Sequence, residues 1–300
     1  MNDIEVRHLR YFVAVAEELH FGRAAKRLGM AQPHLSRAIR EMERQIGVPL
    51  LERTTRHVSL TPAGEVLLRD ARTALDAVTA AVRRTRQAGQ AEPVLRLALK
   101  ADYDGGLLPL IFAAYEREPA ALRVELVLGG RGEQEPALRD GRADIALLPR
   151  PFDDHGFDVE PLLTEPRLLA VAATDPLASR ESLHLADLAG RVLPYGRPAD
   201  REGDAPDPST PQPSGRCDLA QIFNLIELGR TVWFPPVSIV RRHLRPGVAY
   251  RAVADLSPVW LDLAWPQESR SPAVAAFVRA ACSVAAAHPP QGAESLVGVP

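Results

Sequence analysis

The sequence predicts a mixed α/β chain in three parts: a cluster of short helices closed by a basic hairpin, one long helix, and two α/β lobes. Three observations predict it. From Val6 to Ile46 apolar residues recur at helical spacing, with glycine or proline at the breaks. A single narrow apolar stripe then runs from Leu68 to Val82. Past Pro93, short apolar runs alternate with helical segments, the order that builds parallel sheets.

Val6, Leu9, Phe12, Val13, Ala16 and Leu19 give the first helix one apolar face. Ala24, Ala25 and Leu28 form a short second helix, and Gly29 takes the turn after it. Gln32 and Pro33 open a third, where proline costs no backbone hydrogen bond. Leu35, Ile39, Met42 and Ile46 step by four, three and four and face inward. Pro33, Arg37, Arg40 and Arg44 then point outward, flanked by His34 and Ser36. Taken alone, such an arginine face is a solvated helix surface. As the third of three helices, followed by Arg53 and Arg56 in a hairpin-like stretch, it has the chemistry to enter a major groove and meet phosphates and base edges.

Thr61-Pro-Ala-Gly opens the long helix, with threonine as N-cap and proline at the first helical position. Leu68, Ala71, Leu75, Val78 and Val82 alternate by three and four, the spacing of a coiled-coil seam. A helix this long with one narrow stripe needs a partner to bury it, either another domain or a second copy of the chain. Arg83, Arg84 and Arg86 suit its carboxyl end, Gly89 is placed to cap it, and residues 90–93 form a hinge.

Beyond the hinge the expected order is strand 94–99, helix 107–116, strand 124–128, helix 133–139 and strand 145–148. It resumes with a strand at 168–173, helix 219–228, strand 232–234, strand 261–265 and an alanine-rich helix at 273–287. This order implies a parallel sheet with helices on both faces and a ligand cleft near the carboxyl ends of the strands. Residues 197–216, rich in proline and charge, read as an exposed loop or lid, and 291–300 as a frayed tail.

The runs Leu9-Arg-Tyr-Phe-Val-Ala-Val-Ala-Glu-Glu, Ala24-Ala-Lys-Arg-Leu, Ala31-Gln-Pro-His-Leu-Ser-Arg-Ala-Ile-Arg and Leu60-Thr-Pro-Ala-Gly resemble the LysR-type transcriptional regulators. The resemblance is dense over the first 65 residues and thinner beyond. It implies a winged helix-turn-helix DNA-binding domain over 1–62 and a dimerising linker helix over 63–90. It implies an effector domain of two periplasmic-binding-protein-like α/β lobes over 91–300. Family contacts to double-stranded DNA fall on Gln32, Pro33, Ser36 and Arg37, with Arg53 in the wing. His34, Arg40 and Arg56 join them as candidates. His34 stands where a second proline or a small residue is common, and Leu51 where phenylalanine is usual. The resemblance further implies a homodimer or homotetramer that bends DNA and meets RNA polymerase under control of a small molecule.

In the family, the loops after the first two strands of the effector domain supply effector contacts. Here they are Lys100-Ala-Asp-Tyr103 and Gly129-Gly-Arg-Gly-Glu133. Lys100, Ala101, Asp102, Tyr103, Gly130 and Arg131 are therefore candidates, with Tyr195 and Phe234 as walls from the second lobe. Two cations facing one cleft favour an anionic effector. The alternative is that Lys100 pairs with Asp102 or Asp104, and Arg131 with Glu133, on the surface.

Composition agrees with a globular protein of two or three domains: 300 residues, 46% hydrophobic, 25% charged, net charge −2. The first 90 residues carry 15 basic against 10 acidic side chains and the rest 21 against 28, a basic head on an acidic body. Cys217 and Cys282 lie in no metal or CxxC spacing, and read as two ordinary thiols rather than a redox pair. No cofactor or metal is expected. There is no GxSxG, P-loop lysine or HExxH motif, which argues against an enzyme. No apolar run reaches the length of a membrane span and no signal peptide is evident, so the expected location is cytoplasmic.

Overall fold

Three helices begin the chain: α1 (Val6–Glu18), α2 (Phe21–Leu28) and α3 (Gln32–Ile46). The computed structural model describes residues 4–53, 57–130, 132–194, 196–202 and 218–289. Phe12, Val15, Ala24, Leu35, Ile39, Met42 and Leu50 close a dry core between the helices. Each helix end has a local cause. The His20 ring accepts the Gly22 and Arg23 N–H groups and starts α2, and Gly29, at φ +66°, ends it. Pro33 lies in the first turn of α3, and Gly47 at φ +87° stops it.

A two-stranded antiparallel hairpin follows, β1 (Leu51–Arg53) and β2 (Val58–Leu60), with Leu51 opposite Leu60. Then comes α4 (Pro62–Ala88). Thr61 caps it, accepting the Gly64 N–H at 3.0 Å while donating to the Pro49 carbonyl at 2.8 Å. Gly89 ends α4 at φ −88°, so the expected left-handed cap is replaced by a tighter last turn. Along the apolar stripe Ala71 is buried, Leu68, Leu75 and Val78 are half-buried, and Val82 is 47% exposed. Gly64 has a steric reason to be glycine: a Cβ there would sit 2.1 Å from the Leu50 carbonyl oxygen. Gly64→Ala is expected to cost about 1–3 kcal/mol, because backbone must move to admit the methyl. A urea midpoint equal to wild type would contradict this.

The chain divides into two compact units: one ends at Ala91 and takes in Arg139–Gly141, the other holds Glu92–Leu138 and continues from Arg142. The second unit contains, in order, β3 (Val94–Lys100), α5 (Leu108–Tyr115), β4 (Arg123–Gly129), α6 (Gln134–Arg139), β5 (Ile145–Pro149) and β6 (Phe157–Glu165). After these come β7 (Leu169–Ala172), α7 (Leu219–Glu227), α8 (Val237–Arg242), β8 (Val248–Arg251), β9 (Val259–Pro266) and α9 (Pro272–Ala287). The first lobe is one sheet in the order β4-β3-β5-β9-β6. On one face Leu97, Leu99, Ile145, Leu147 and Leu263 pack under Ile111, Tyr115 and Phe277. On the other, Ala98, Ala146, Leu148 and Ala264 pack with Ala137 and Leu138. The second lobe is built on the antiparallel pair β7 and β8, with its own cores on both faces.

Two expectations are corrected. The sheet is mixed: β4, β3 and β5 are parallel, but β9 lies antiparallel to both β5 and β6. The chain leaves the first lobe along β6 and returns along β9, so the two crossing strands run in opposite directions. Residues 232–234 form no strand; Trp233 makes a single bridge to Ala170. Pro235 and Pro236, lacking N–H donors, prevent the ladder from growing.

Candidate functional site

On α3 the spacing that buries Leu35, Ile39 and Met42 leaves Gln32, Pro33, His34, Arg37 and Arg40 exposed and Ser36 half-buried. The arginines differ in freedom. Arg37 has no hydrogen-bond or ion-pair partner among the described residues. Arg40 donates to the Ser36 carbonyl at 3.2 Å, and Arg44 pairs with Glu41 one turn back. Arg53 of the hairpin is held by Glu43 at 2.6 Å, with its guanidinium 5.0 Å from the Phe21 ring centre. Glu43 also accepts the Leu50 and Leu51 N–H groups, so one carboxylate fastens the hairpin to α3. Arg56 lies outside the described residues.

In the second unit, the carboxyl ends of β3, β4 and β5 lie along one edge of the sheet, with the end of β6 and the start of β9. The loop after β3 grips the second lobe. Asp104, almost fully buried, accepts both terminal nitrogens of Arg242 at 2.8 and 2.9 Å. It also accepts the Gly106 and Leu108 N–H groups, which anchors the start of α5. Asp102, held in the left-handed region at φ +64°, lies 3.4 Å from Arg242 and 3.2 Å from His243. Such backbone strain in a non-glycine residue persists only where neighbours enforce it. Tyr103 packs onto the core containing Ile222 and Phe223, and the Lys100 ammonium sits 3.9 Å above its ring. The carboxylates offered to Lys100 thus take Arg242, and Asp102 lies close to the His243 ring. Ala101 is exposed beside them.

After β4 the loop closes on itself. The Gly130 N–H donates to Glu133 at 2.6 Å and Gln134 donates to the Gly130 carbonyl at 2.9 Å. Phe234 is buried in the second lobe with Arg167 stacked 5.8 Å from its ring centre, so its ring serves the core. Arg131, Tyr195 and residues 203–217, Cys217 among them, lie outside the described residues. Burial pushes the Cys282 thiol up, away from the reactive thiolate. Among the described residues no cluster of His, Cys, Asp and Glu is placed to hold a metal ion, and no helix is long and apolar enough to cross a membrane.

Glu165, Ser238 and Arg242 were not singled out from sequence, and Asp104 was named there only as a partner for Lys100. Glu165, at the end of β6, accepts the Ser238 hydroxyl at 2.9 Å and the Ser238 N–H. Asp104 and Glu165 therefore hold α8 at both ends. A carboxylate in front of Gly105-Gly106 was the only local signal, and no pattern links it to an arginine 138 residues away. Burial holds the Glu165 carboxyl above its ordinary value, against the hydrogen bonds from Ser238. A raised carboxyl pKa gives stability that is complete below the unfolded value and lost as pH climbs through the raised one. Glu165→Gln removes that loss. Its stability relative to wild type should rise with pH across this window, and parallel pH–stability curves would refute the assignment.

Residues 6–65 match a family model described as bacterial regulatory helix-turn-helix protein, lysR family. Residues 88–285 match one described as LysR substrate binding domain. The Hca operon transcriptional activator HcaR of Escherichia coli is 32% identical over 286 residues, 92% of this chain and 96% of that protein. The regulator AlsR of Bacillus subtilis is 39% identical over 188 residues, a match spanning 62% of each chain. The structure of full-length CbnR complexed with its target DNA superposes with a TM-score of 0.54 at 25% identity, covering 94% of this chain and 100% of that one.

Proposed function

The chain belongs to the LysR family of transcriptional regulators, and from that premise we propose which of its residues meet DNA and effector. As a member it is a DNA-binding regulator with an effector-binding domain, not an enzyme. Gln32, Pro33, His34, Ser36, Arg37 and Arg40 present the recognition face, and Arg53 and Arg56 the wing. The observation that carries this reading is the exposed Arg37, without a hydrogen-bond or ion-pair partner among the described residues, on a helix whose opposite face buries Leu35, Ile39 and Met42.

Residues 1–62 are the DNA-binding domain, 63–90 the linker helix and 91–300 the effector domain in this reading. The half-buried stripe of α4 pairs with its copy in a second subunit, which sets two recognition helices on successive half-sites. Dimers or tetramers bound this way bend DNA and change contact with RNA polymerase. The effector, an anion, binds at the strand-carboxyl edge of the first lobe near Lys100, Ala101, Asp102, Tyr103, Gly130 and Arg131, with Tyr195 on the second lobe's side. It acts through different affinity for two arrangements of the lobes.

A mobility shift on the DNA upstream of the chain's own gene tests the core of this reading. Binding should weaken steeply with salt: six to ten phosphate contacts imply a loss of about 10³–10⁵ in affinity between roughly 50 and 200 mM. Salt-insensitive binding, or none at low salt, would remove the arginine face from the interface.

A further inference from the structure

At the same edge of the first lobe's sheet stands a cationic group outside the loops named above. Arg150 follows β5 directly, and its N–H donates to the Trp260 carbonyl of β9 at 3.0 Å. This extends the register in which Leu148 faces Asp262 and Pro149 faces Leu261. Residues opposite one another in an antiparallel pair share a face. Arg150 and Trp260 therefore stand side by side, with Asp262 one step inward, on the face that carries Leu148 and Ala264. Strand alternation from Ala98 places Lys100 on this face too.

The side chains form a receptor open on one side. Asp262, 1% exposed, accepts the Arg150 Nε at 2.5 Å. The Arg150 guanidinium lies 5.5 Å from the Trp260 ring centre, and Asp154 adds a longer-range attraction. No hydrogen bond to a described residue engages the two terminal amino groups of Arg150. Its side chain is 45% exposed, and Trp260 is 46% exposed. A structural arginine–carboxylate pair usually spends the guanidinium fork on the carboxylate. Here the bond runs through Nε, so the pair orients the guanidinium and leaves two parallel donors outward. The other oxygen of Asp262 is buried without a hydrogen-bond partner among the described residues. A carboxylate so poorly satisfied is a costly way to stabilise a fold, and a sensible way to hold an arginine in one pose.

We propose that Arg150 and Trp260 receive the effector, and that Asp262 is the residue that positions Arg150. The ligand class is a carboxylate, or another oxyanion of similar shape, borne on a flat apolar body: the oxyanion takes the fork and the flat body lies on the remaining indole surface. This rests on the reading of the sheet edge as the effector-binding end of the domain.

The test is calorimetric titration of the full-length protein with three probes: benzoate, benzamide as the same ring without charge, and acetate as the charge without a ring. Benzoate should bind, with benzamide and acetate weaker by about tenfold or more. Arg150→Gln and Trp260→Leu should each weaken benzoate by about tenfold. Trp260→Leu, at a half-exposed side chain, should keep the wild-type urea midpoint, whereas Arg150→Gln should lower it because the buried Asp262 loses its partner. Arg150→Lys should recover little, since an ammonium has no fork. No binding of benzoate up to about 10 mM, or benzamide binding equally well, overturns the proposed ligand class. Benzoate binding that neither variant changes overturns the placement and leaves the effector domain's role standing. Failure of the wild-type protein to shift its own upstream DNA would instead strike the regulator reading itself.

Discussion

Arg242→Ala should destabilise the effector domain by about 3 kcal/mol, the largest stability effect expected of a single polar substitution in this chain. The reason is the state of its partner. Asp104 is almost fully buried and takes both terminal nitrogens of Arg242, so removing the guanidinium leaves a carboxylate in a dry site with only two backbone donors. The figure sits at the low end for a buried pair because the Arg242 side chain is 33% exposed and water replaces part of what is lost. Urea unfolding of the full chain reads the effect. Asp104→Asn combined with Arg242→Met should recover part of the loss, since the double variant no longer buries a lone charge. A midpoint within error of wild type for Arg242→Ala would mean that the pair is ornamental. It would also mean that α8 is held by Glu165 and apolar packing alone.

Arg37→Ala should weaken operator binding by about 1–3 kcal/mol, a loss of roughly 5- to 150-fold at fixed salt. It should leave the urea midpoint unchanged, because the exposed Arg37 makes no hydrogen bond or ion pair with a described residue that its loss would break. The two readouts separate recognition from folding. The salt slope separates them further: if Arg37 meets a phosphate the slope falls by about one and all sequences weaken alike, whereas a base contact relaxes preference at one position of the operator. Unchanged affinity would take Arg37 out of the interface. Arg53 is a poorer test, since its guanidinium is tied to Glu43 and Phe21 and its removal loosens the hairpin as well.

The DNA-binding head was legible almost residue by residue, because its signals are local. Leu35, Ile39 and Met42 go inward at the predicted spacing, Gly29 takes the left-handed turn, and Thr61 caps the long helix. The effector domain was legible only in outline. β6 was missed because Asp158, Glu160 and Pro161 dilute its apolar pattern. α8 was missed because six residues between a proline pair and a basic run carry too little periodicity to read as a helix. Phe234, expected at the cleft wall, is a core residue, since a lone aromatic beside prolines looks the same in either role.

By itself the sequence determined the order of the helices in the DNA-binding head, which face each buries and where each starts and stops, and its motifs identified the family to which the chain belongs. The helices follow from spacings of three and four residues and from the conformational preferences of glycine, proline and capping side chains, and the family from the resemblance of the motif runs in the first 65 residues. Only the tertiary structure decided that β9 returns antiparallel, that Asp104 meets Arg242, and that Arg150 stands beside Trp260 over Asp262. Those partners lie 110 to 138 residues apart. Their meeting depends on strand register and on how the chain crosses between lobes, which no local pattern of residue types records.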